Sequence, residues 1–331
     1  MTTDTLLKVN ISQFADPDYN LQGTWAVPES IAKYYDKALL ELLRHKMQLH
    51  LKFAQKKGMP RKAGDTVSFR KIEKLEPALT PLTEGVTPDG NSIGMVEITA
   101  QTKQYGDYIT YTDVLDFQTI DPIIMEYIAE LADQAKETLD ILAREALNSG
   151  TNVMYAGGKT DRAQLATGDK LTVTDVRKVV RFFRKNYIKP IPGTNGDYAC
   201  LISPDTEFDF FDDPEFRQIA DYGGNVKPLL DNEVGRFHNV RFFMTPNAKV
   251  FEGEGADGVD VHSAVFLGKN AYGTVDIKGE GSVKSIIKPL GSSGTLDPLN
   301  QRGSIGWKVN AFGLVRLEEL ALVRYEHVPS V

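Results

Sequence analysis

Gly253–Gly258 reads GEGADG, which fits the dinucleotide pattern G-x-G-x-x-G letter for letter. That pattern holds a pyrophosphate only where a helix opens inside it, with free backbone N–H groups and the helix N-terminus facing the anion. The residues that follow, VDVHSAVFLG, read as a strand, so a loop is expected. Gly157–Thr160, GGKT, matches the end of a P-loop, but the required first glycine falls on Val153 and DRAQLATGD offers no strong helix behind it. His45, His50, His238, His262 and His327 form no ligand pair at helical or finger spacing. Glu207, Asp209, Asp212, Asp213 and Glu215 gather in EFDFFDDPEF. Paired carboxylates can do acid–base work, but a solvated turn between two short helices is the simpler reading. The single cysteine, Cys200, lies in the apolar run DYACLIS as a core thiol. An internal disulfide framework is thereby excluded, which fits a reducing compartment. There is no G-x-S-x-G elbow. No catalytic, cofactor or metal site is expected, and no cofactor: nothing converges on a reaction.

The chain has 331 residues, 41% hydrophobic and 25% charged, ordinary for a soluble globular protein of two domains or one elaborated domain. No apolar run reaches the ~18 residues of a membrane span, so no membrane is expected. The first twenty residues lack a basic start followed by an apolar stretch, so no secretory signal is expected. A net charge of −7 argues against a protein whose main task is gripping nucleic acid. The charge is unevenly spread. Arg44–Lys74 holds ten Lys or Arg against Asp65 and Glu73, a local +8, leaving −15 for the rest.

The elements that would position these residues follow from periodicity. Residues 1–29 are polar, carry Pro17 and Pro28, and read as an extended arm. Ser30 to about His45 has a helical pattern, and Met47, Leu49, Leu51 and Phe53 then alternate at strand spacing. TVSFRKIEK (Thr66–Lys74) is a strand candidate, and MVEITAQTKQYGDYITYT (Met95–Thr112) another. Eighteen extended residues span roughly 60 Å, whereas a compact chain of this size has a radius of gyration of about 20 Å. The two strands with the proline-rich stretch between them predict a long hairpin whose tip, 75–94, is the candidate for a part that moves. Apolar parity switches from even (Val96, Ile98, Ala100) to odd (Tyr105, Ile109, Tyr111), predicting a bulge near Gly106. Such a hairpin is marginal in water by itself and needs a surface to lie on.

Asp121 as N-cap, Pro122 at the first helical position and Gly150 beyond the end bracket a helix of ~28 residues, roughly 42 Å long. From Asp121 to Ala146 it holds seven acids against Lys136 and Arg144, a charge of −5 on one face opposite an apolar one. A loop is expected over 148–169. Residues 171–283 read as an α/β unit, with a helix over Val173–Tyr187, a strand YACLIS, helices after Pro204 and Pro214, and strands NVRFFMT and SAVFLG. The remainder is strand-rich: VKSIIKPL, then GSIGWKVNAFGLVRLEELALVRYEHV.

This order, and the phrases GDTVSFRKIEKLEPALTPLTEGVTP, KQYGDYITYTDVLDF, GRFHNVRFFMTPNA and GSIGWKVNAFGLVRLEELALVRYEH, resemble the tailed-phage major capsid proteins. Their shell fold, the Hong Kong ninety-seven-type fold, is shared with herpesviruses, and the phrases are most similar to the subgroup typified by the phage N-four coat protein. The resemblance implies an α+β fold with an N-terminal arm (1–60), a long β-hairpin extended loop (61–115), a peripheral domain (116–170 and 283–331) with a spine helix (121–149), and an α/β axial domain (171–282). It implies a coat protein, not an enzyme, that self-assembles through hexamers and pentamers into an icosahedral shell around double-stranded DNA. It further implies a virion capsid assembled in the host cytoplasm. A separate scaffolding protein or a processed precursor, a portal, possible decoration proteins, and sequence-independent DNA contact on the inner face belong to the same expectation. The hairpin then becomes a strap over a neighbouring subunit. The charge split adds candidate intersubunit contacts: Arg44, Lys46, Lys52, Arg61, Arg70, Lys71 and Tyr105 on one side, and the acidic helix face of Glu126, Glu130, Asp133 and Glu137 on the other. The competing readings are DNA contact by the basic segment, a nucleotide-binding α/β enzyme using GEGADG, and another structural phage protein of tail or decoration type.

Overall fold

The computed structural model describes residues 49–60, 64–82, 84–85, 87, 90–118, 123–214, 233–277, 283–292 and 297–330. Residues 1–48 of the N-terminal arm, with the Ser30–His45 helix, the Asp121/Pro122 cap and the helix after Pro214, lie outside them. In chain order the elements are α1 (Leu49–Lys52), β1 (Gln55–Met59), β2 (Thr66–Ile72), β3 (Met95–Gln101), β4 (Lys103–Thr112), α2 (Asp113–Gln118) and α3 (Ile123–Asn148). Then come β5 (Val153–Tyr155), α4 (Val173–Lys185), β6 (Tyr198–Ile202), α5 (Pro204–Asp212), β7 (Glu233–Phe237), β8 (Val240–Met244) and β9 (Val250–Phe251). The chain closes with β10 (Val261–Leu267), β11 (Tyr272–Ile277), β12 (Lys284–Lys288), β13 (Arg302–Arg316) and β14 (Leu322–His327). It divides into two compact units, one of residues 1–46, 106–135 and 283–309, the other of 47–105, 136–282 and 310–331.

The larger unit is built on a mixed sheet in the order β5-β14-β10-β6-β8-β7, with β9 also on β10. β6 and β10 are buried throughout, as continuous apolar runs are when both faces of a sheet are covered. Side chains alternate between two cores. Tyr198, Cys200 and Ile202 pack with Val176, Val179 and Phe183 of α4. Ala199 and Leu201 face the other way, onto Leu49, Leu147 and Tyr272. Thr172 starts α4 with a reciprocal cap: its side chain accepts from the Asp175 N–H, and the Asp175 carboxylate accepts from the Thr172 N–H.

Three expectations are corrected here. The strand expected over Met47–Phe53 is absent in its described part: Leu49–Lys52 is one helical turn. The His50 N–H (3.0 Å) and its Nδ1 (2.8 Å) both meet the Asp140 carboxylate of α3, and the Tyr272 hydroxyl donates to the His50 carbonyl. These tertiary bonds fix a turn where local alternation suggested extension. The loop over 148–169 contains β5, paired in parallel with β14. The long strand breaks at Thr102, not at Gly106, because the Thr102 N–H and hydroxyl both donate to the Asp65 carbonyl at 2.8 Å.

In the smaller unit, Val283, Ile305, Trp307 and Val309 are buried, as are Ile128, Leu131, Ala132 and Ala135 on one face of α3. β12 pairs antiparallel with the first half of β13, from Lys284↔Lys308 to Lys288↔Ser304. β4 runs so close to β13 that a Cβ on Gly106 would lie 2.6 Å from the Trp307 carbonyl oxygen, which is what requires glycine there. Gln134 of α3 links the two strands: the Trp307 Nε1–H donates to its Oε1 (3.0 Å), and its Nε2 donates to Asp107 (2.6 Å). That bond, with the Tyr108 N–H, holds the Asp107 carboxyl below the usual carboxylate range.

Candidate assembly interface

β2 and β3 form an antiparallel pair in an unbroken register from Thr66↔Gln101 to Ile72↔Met95. Its root is anchored. Val67, Phe69 and Ala100 are buried against Met59, Val275 and Ala311. Gly273 makes room for this, since a Cβ there would lie 2.7 Å from the Phe69 ring. Beyond Phe69 the hairpin loses its own core. Ile72 is 68% exposed, Leu79 87% and Leu82 77%, and Leu75, Ile93, Met95 and Val96 are exposed as well. Seven of the fifteen exposed large apolar side chains among the described residues thus fall between 72 and 96. Among the described residues the pair is a sheet of two strands, so each strand keeps an outer edge. Exposed apolar side chains beside unpaired strand edges are what an added partner chain covers.

The candidate contact residues are placed as follows. Arg44, Lys46 and Arg61 lie outside the described residues. Lys52 is half-buried in α1, and Arg70 is exposed opposite Glu97 in the hairpin register. Lys71 pairs with Glu318 of its own subunit. Arg70 and Lys71 share a concavity of about 780 Å³ with Lys56, Lys57, Lys189 and Lys269. Sequence reasoning missed this grouping, which gathers bases from three separate stretches of chain; the +8 segment signalled only one of them. Tyr105 is half-buried, its ring edge-on to Phe312 at 6.2 Å. On α3, Glu126, Glu130 and Glu137 are exposed and Asp133 is half-buried. The four recur at three- and four-residue spacing and so share one side of the helix.

The motifs that suggested chemistry are spent on structure. In Gly253–Gly258 a single turn, Ala256–Gly258, precedes β10. Its donors are already used: Gly253 N–H on Asp260 Oδ1, Gly255 N–H on the Val259 carbonyl, Ala256 N–H on the Leu165 carbonyl, and Gly258 N–H on the Gly255 carbonyl. With four of its six N–H groups engaged and no helix opening behind them, the loop lacks the free donor cradle that a pyrophosphate needs. Asp209 of the acidic run binds Lys170 at 3.0 Å and Ser330. Ser203, the N-cap of α5, touches His262 Nδ1 (2.9 Å) and Thr206 (2.8 Å), and Thr206 touches His327 Nε2 (2.7 Å). The chain resembles a nucleophile relay, but Ser203 is 3% exposed and its oxygen caps a helix. Burial depresses the His262 imidazole, against the pull of Asp205 and Asp260, and drives that of His327 down to about 3. Among the described residues no three His, Cys, Asp or Glu side chains converge as a metal site, and no helix is long and apolar enough to cross a membrane.

Residues 96–325, from β3 to β14, match the family model described as phage capsid protein. The chain belongs to this family. It is a major capsid protein, a subunit of the shell, and its place is the virion capsid. No curated protein matches it. Solved capsids share its α+β fold. The capsid of Ralstonia phage GP4 aligns with a TM-score of 0.70 at 15% identity, covering 84% of this chain and 87% of that one. The capsid asymmetric unit of cyanophage Pam1 aligns at 0.63 and 14% identity, covering 82% and 86%. The SrpI encapsulin of Synechococcus elongatus aligns at 0.53 and 10% identity, covering 86% and 89%. The family and these neighbours are structural proteins, and the capsid protein self-associates as they do.

Proposed function

We propose that the capsid protein forms a closed icosahedral shell of hexamers and pentamers around the double-stranded DNA of a tailed phage, with the hairpin over 61–115 strapped across a neighbouring subunit. The observation that carries this reading is the anchored root and apolar, exposed tip of the hairpin. A head-to-tail contact of one tip with the next subunit closes into rings when the rotation closes. In the same reading the arm (1–60) crosses to neighbours ahead of its last stretch, 49–60, which packs in its own subunit as α1 and β1, while 116–170 and 283–331 form a peripheral domain around the spine helix, and 171–282 form the axial domain of a Hong Kong ninety-seven-type subunit. Assembly takes place in the host cytoplasm on a separate scaffolding protein, with a portal and decoration proteins, and the subunit catalyses nothing. Electron microscopy of the sedimented recombinant chain, with and without co-expressed scaffold, tests it. Shells, or rings of five and six, support the proposal; a monodisperse monomer or dimer under both conditions refutes it.

The opposite charges of the basic segment and the α3 face support a second contact, in which Arg44, Lys46, Lys52, Arg61, Arg70 and Lys71 of one subunit lie near Glu126, Glu130, Asp133 and Glu137 of another. Reversing the four acids to Lys is expected to block assembly or make it abnormally salt-sensitive. Normal shells from that variant remove this contact and leave the hairpin strap standing.

A further inference from the structure

The hairpin tip needs a surface to cover it, and the larger unit holds one of matching chemistry. β1 and β2 flank the concavity of about 780 Å³. Its described lining carries six Lys or Arg against one acid, Glu318. Lys71 is paired with that acid, Lys57 donates to the Ser68 carbonyl and lies over the Phe69 ring, and Arg70 stands opposite Glu97. Lys56, Lys189 and Lys269 are exposed and form no ion pair among the described residues. The Lys269 N–H donates to the Lys189 carbonyl at 2.9 Å, which sets these two residues side by side. Between the bases the lining is apolar. Ile72 is 68% exposed and Tyr187 80%, with Ile98, Ile188 and Leu317 half-buried beside them. An apolar centre inside a charged rim suits a polypeptide, whereas a bare phosphate would leave that centre wet.

The concavity also borders a free strand edge. The Glu73 N–H bonds the Gly94 carbonyl, so the odd-numbered residues of β2 exchange backbone bonds with β3. The backbone groups of Ser68, Arg70 and Ile72 therefore point away from β3. Lys57 of β1 reaches the Ser68 carbonyl, which places this edge on the concavity. The tip matches on three counts. Its leucines, Leu75, Leu79 and Leu82, are exposed, and none of them lines the concavity of its own chain. Residues 75–84 carry Glu76 and Glu84 and no base. Pro77 and Pro81 share one parity, so in an extended chain both missing donors fall on the same edge. The N–H groups of Glu76, Ala78 and Thr80 remain on the other. Proline also holds the residue before it extended, which lowers the cost of ordering the segment on a partner.

We propose that this concavity is the socket for the hairpin tip of a second copy of this chain. The tip adds an extended segment to the free edge of β2, lays its leucines over Ile72 and Tyr187, and brings Glu76 and Glu84 to Lys56, Lys189 and Lys269. The proposal rests on the reading that the hairpin straps a neighbouring subunit, and it names the surface that receives the strap. Each subunit carries one tip and one socket, so the contact is head-to-tail.

The test is a charge swap in the full-length chain. Sedimentation velocity across a concentration series reads the assembly threshold, and urea midpoints of the dissociated subunits check the fold. Lys189→Glu with Lys269→Glu is expected to raise the threshold roughly tenfold, and Glu76→Lys with Glu84→Lys to do the same. A chain carrying all four reversals is expected to return to the wild-type threshold, because tip and socket attract again. Lys159→Glu with Lys185→Glu, exposed bases off the concavity, should not restore the tip variant. Lys189→Gln with Lys269→Gln gives the same direction where the reversal misfolds. A wild-type threshold in the socket variants, with Leu79→Ala and Leu82→Ala still raising it, overturns the socket and leaves the strap standing. A four-reversal chain as impaired as either pair, or rescue of the tip variant by the Lys159 and Lys185 reversals, overturns it too. A wild-type chain that stays monomeric with and without scaffold refutes strap and socket together.

Discussion

Leu79 and Leu82 sit at the hairpin tip, 87% and 77% exposed, so within one subunit they contribute almost nothing to folding. Replacing both by Ala removes three carbons from each. At ~0.8 kcal/mol per buried CH2, full burial of each leucine in a neighbour is worth about 2.4 kcal/mol, and about 2 kcal/mol when scaled by the area open in the subunit. The pair therefore accounts for about 4 kcal/mol per tip contact. At 1.4 kcal/mol per tenfold, that raises the concentration at which tips engage neighbours by about three decades. The subunit itself should unfold within ~0.5 kcal/mol of wild type, as exposed substitutions do. Sedimentation velocity across a concentration series reads the assembly threshold, and urea unfolding of the dissociated subunit reads the fold. A threshold that does not move refutes the strap. So does a lost threshold accompanied by an equal loss of subunit stability, because the leucines would then be supporting their own fold.

Two further outcomes follow from the larger unit. His327 is held neutral, its folded value of about 3 lying below the unfolded 6.5, so the unfolded chain binds the extra proton and stability falls as the pH drops below 6.5. At pH 5 the loss from this group is about 2 kcal/mol relative to pH 7.5, read as a shift in urea midpoint, and His327→Gln should flatten that dependence. Asp197, fully buried, holds Arg241 at 3.0 Å and Arg236 at 2.8 Å. Asp197→Ala leaves buried Arg241 short of a partner and should cost ~3–5 kcal/mol by the same urea assay, whereas an effect under ~1 kcal/mol would mean solvent reaches the network.

What the sequence made legible is what local periodicity encodes. Ile128, Leu131, Ala135 and Leu139 recur at helical spacing and mark the buried face of α3. β6, β8, β10 and β13 are apolar or alternating runs, and the β2–β3 pairing follows from two strands around a proline-rich tip. What stayed hidden depends on distant partners. QKKGM has no strand signature, yet it becomes β1 by pairing in parallel with β11, more than two hundred residues away. β5 is three residues long and exists as a strand because β14 lies beside it. The parity switch was visible between Ala100 and Tyr105, but its position depends on Asp65, which captures Thr102. The candidate contacts were legible as charge and not as geometry. Nothing local says that Lys71 meets Glu318 rather than the acids of α3, or that Lys189 and Lys269 share a concavity with Lys56.

The central claim is that the tip of the hairpin belongs to a neighbour's surface. Cryo-electron microscopy of shells assembled from this chain tests it most directly, by tracing residues 73–94 and asking what covers Leu75, Leu79 and Leu82. The account predicts that all three are buried against a different subunit, with the root at Val67 and Phe69 still packed in its own. Shells in which these leucines face solvent, or fold back onto their own subunit, would contradict it.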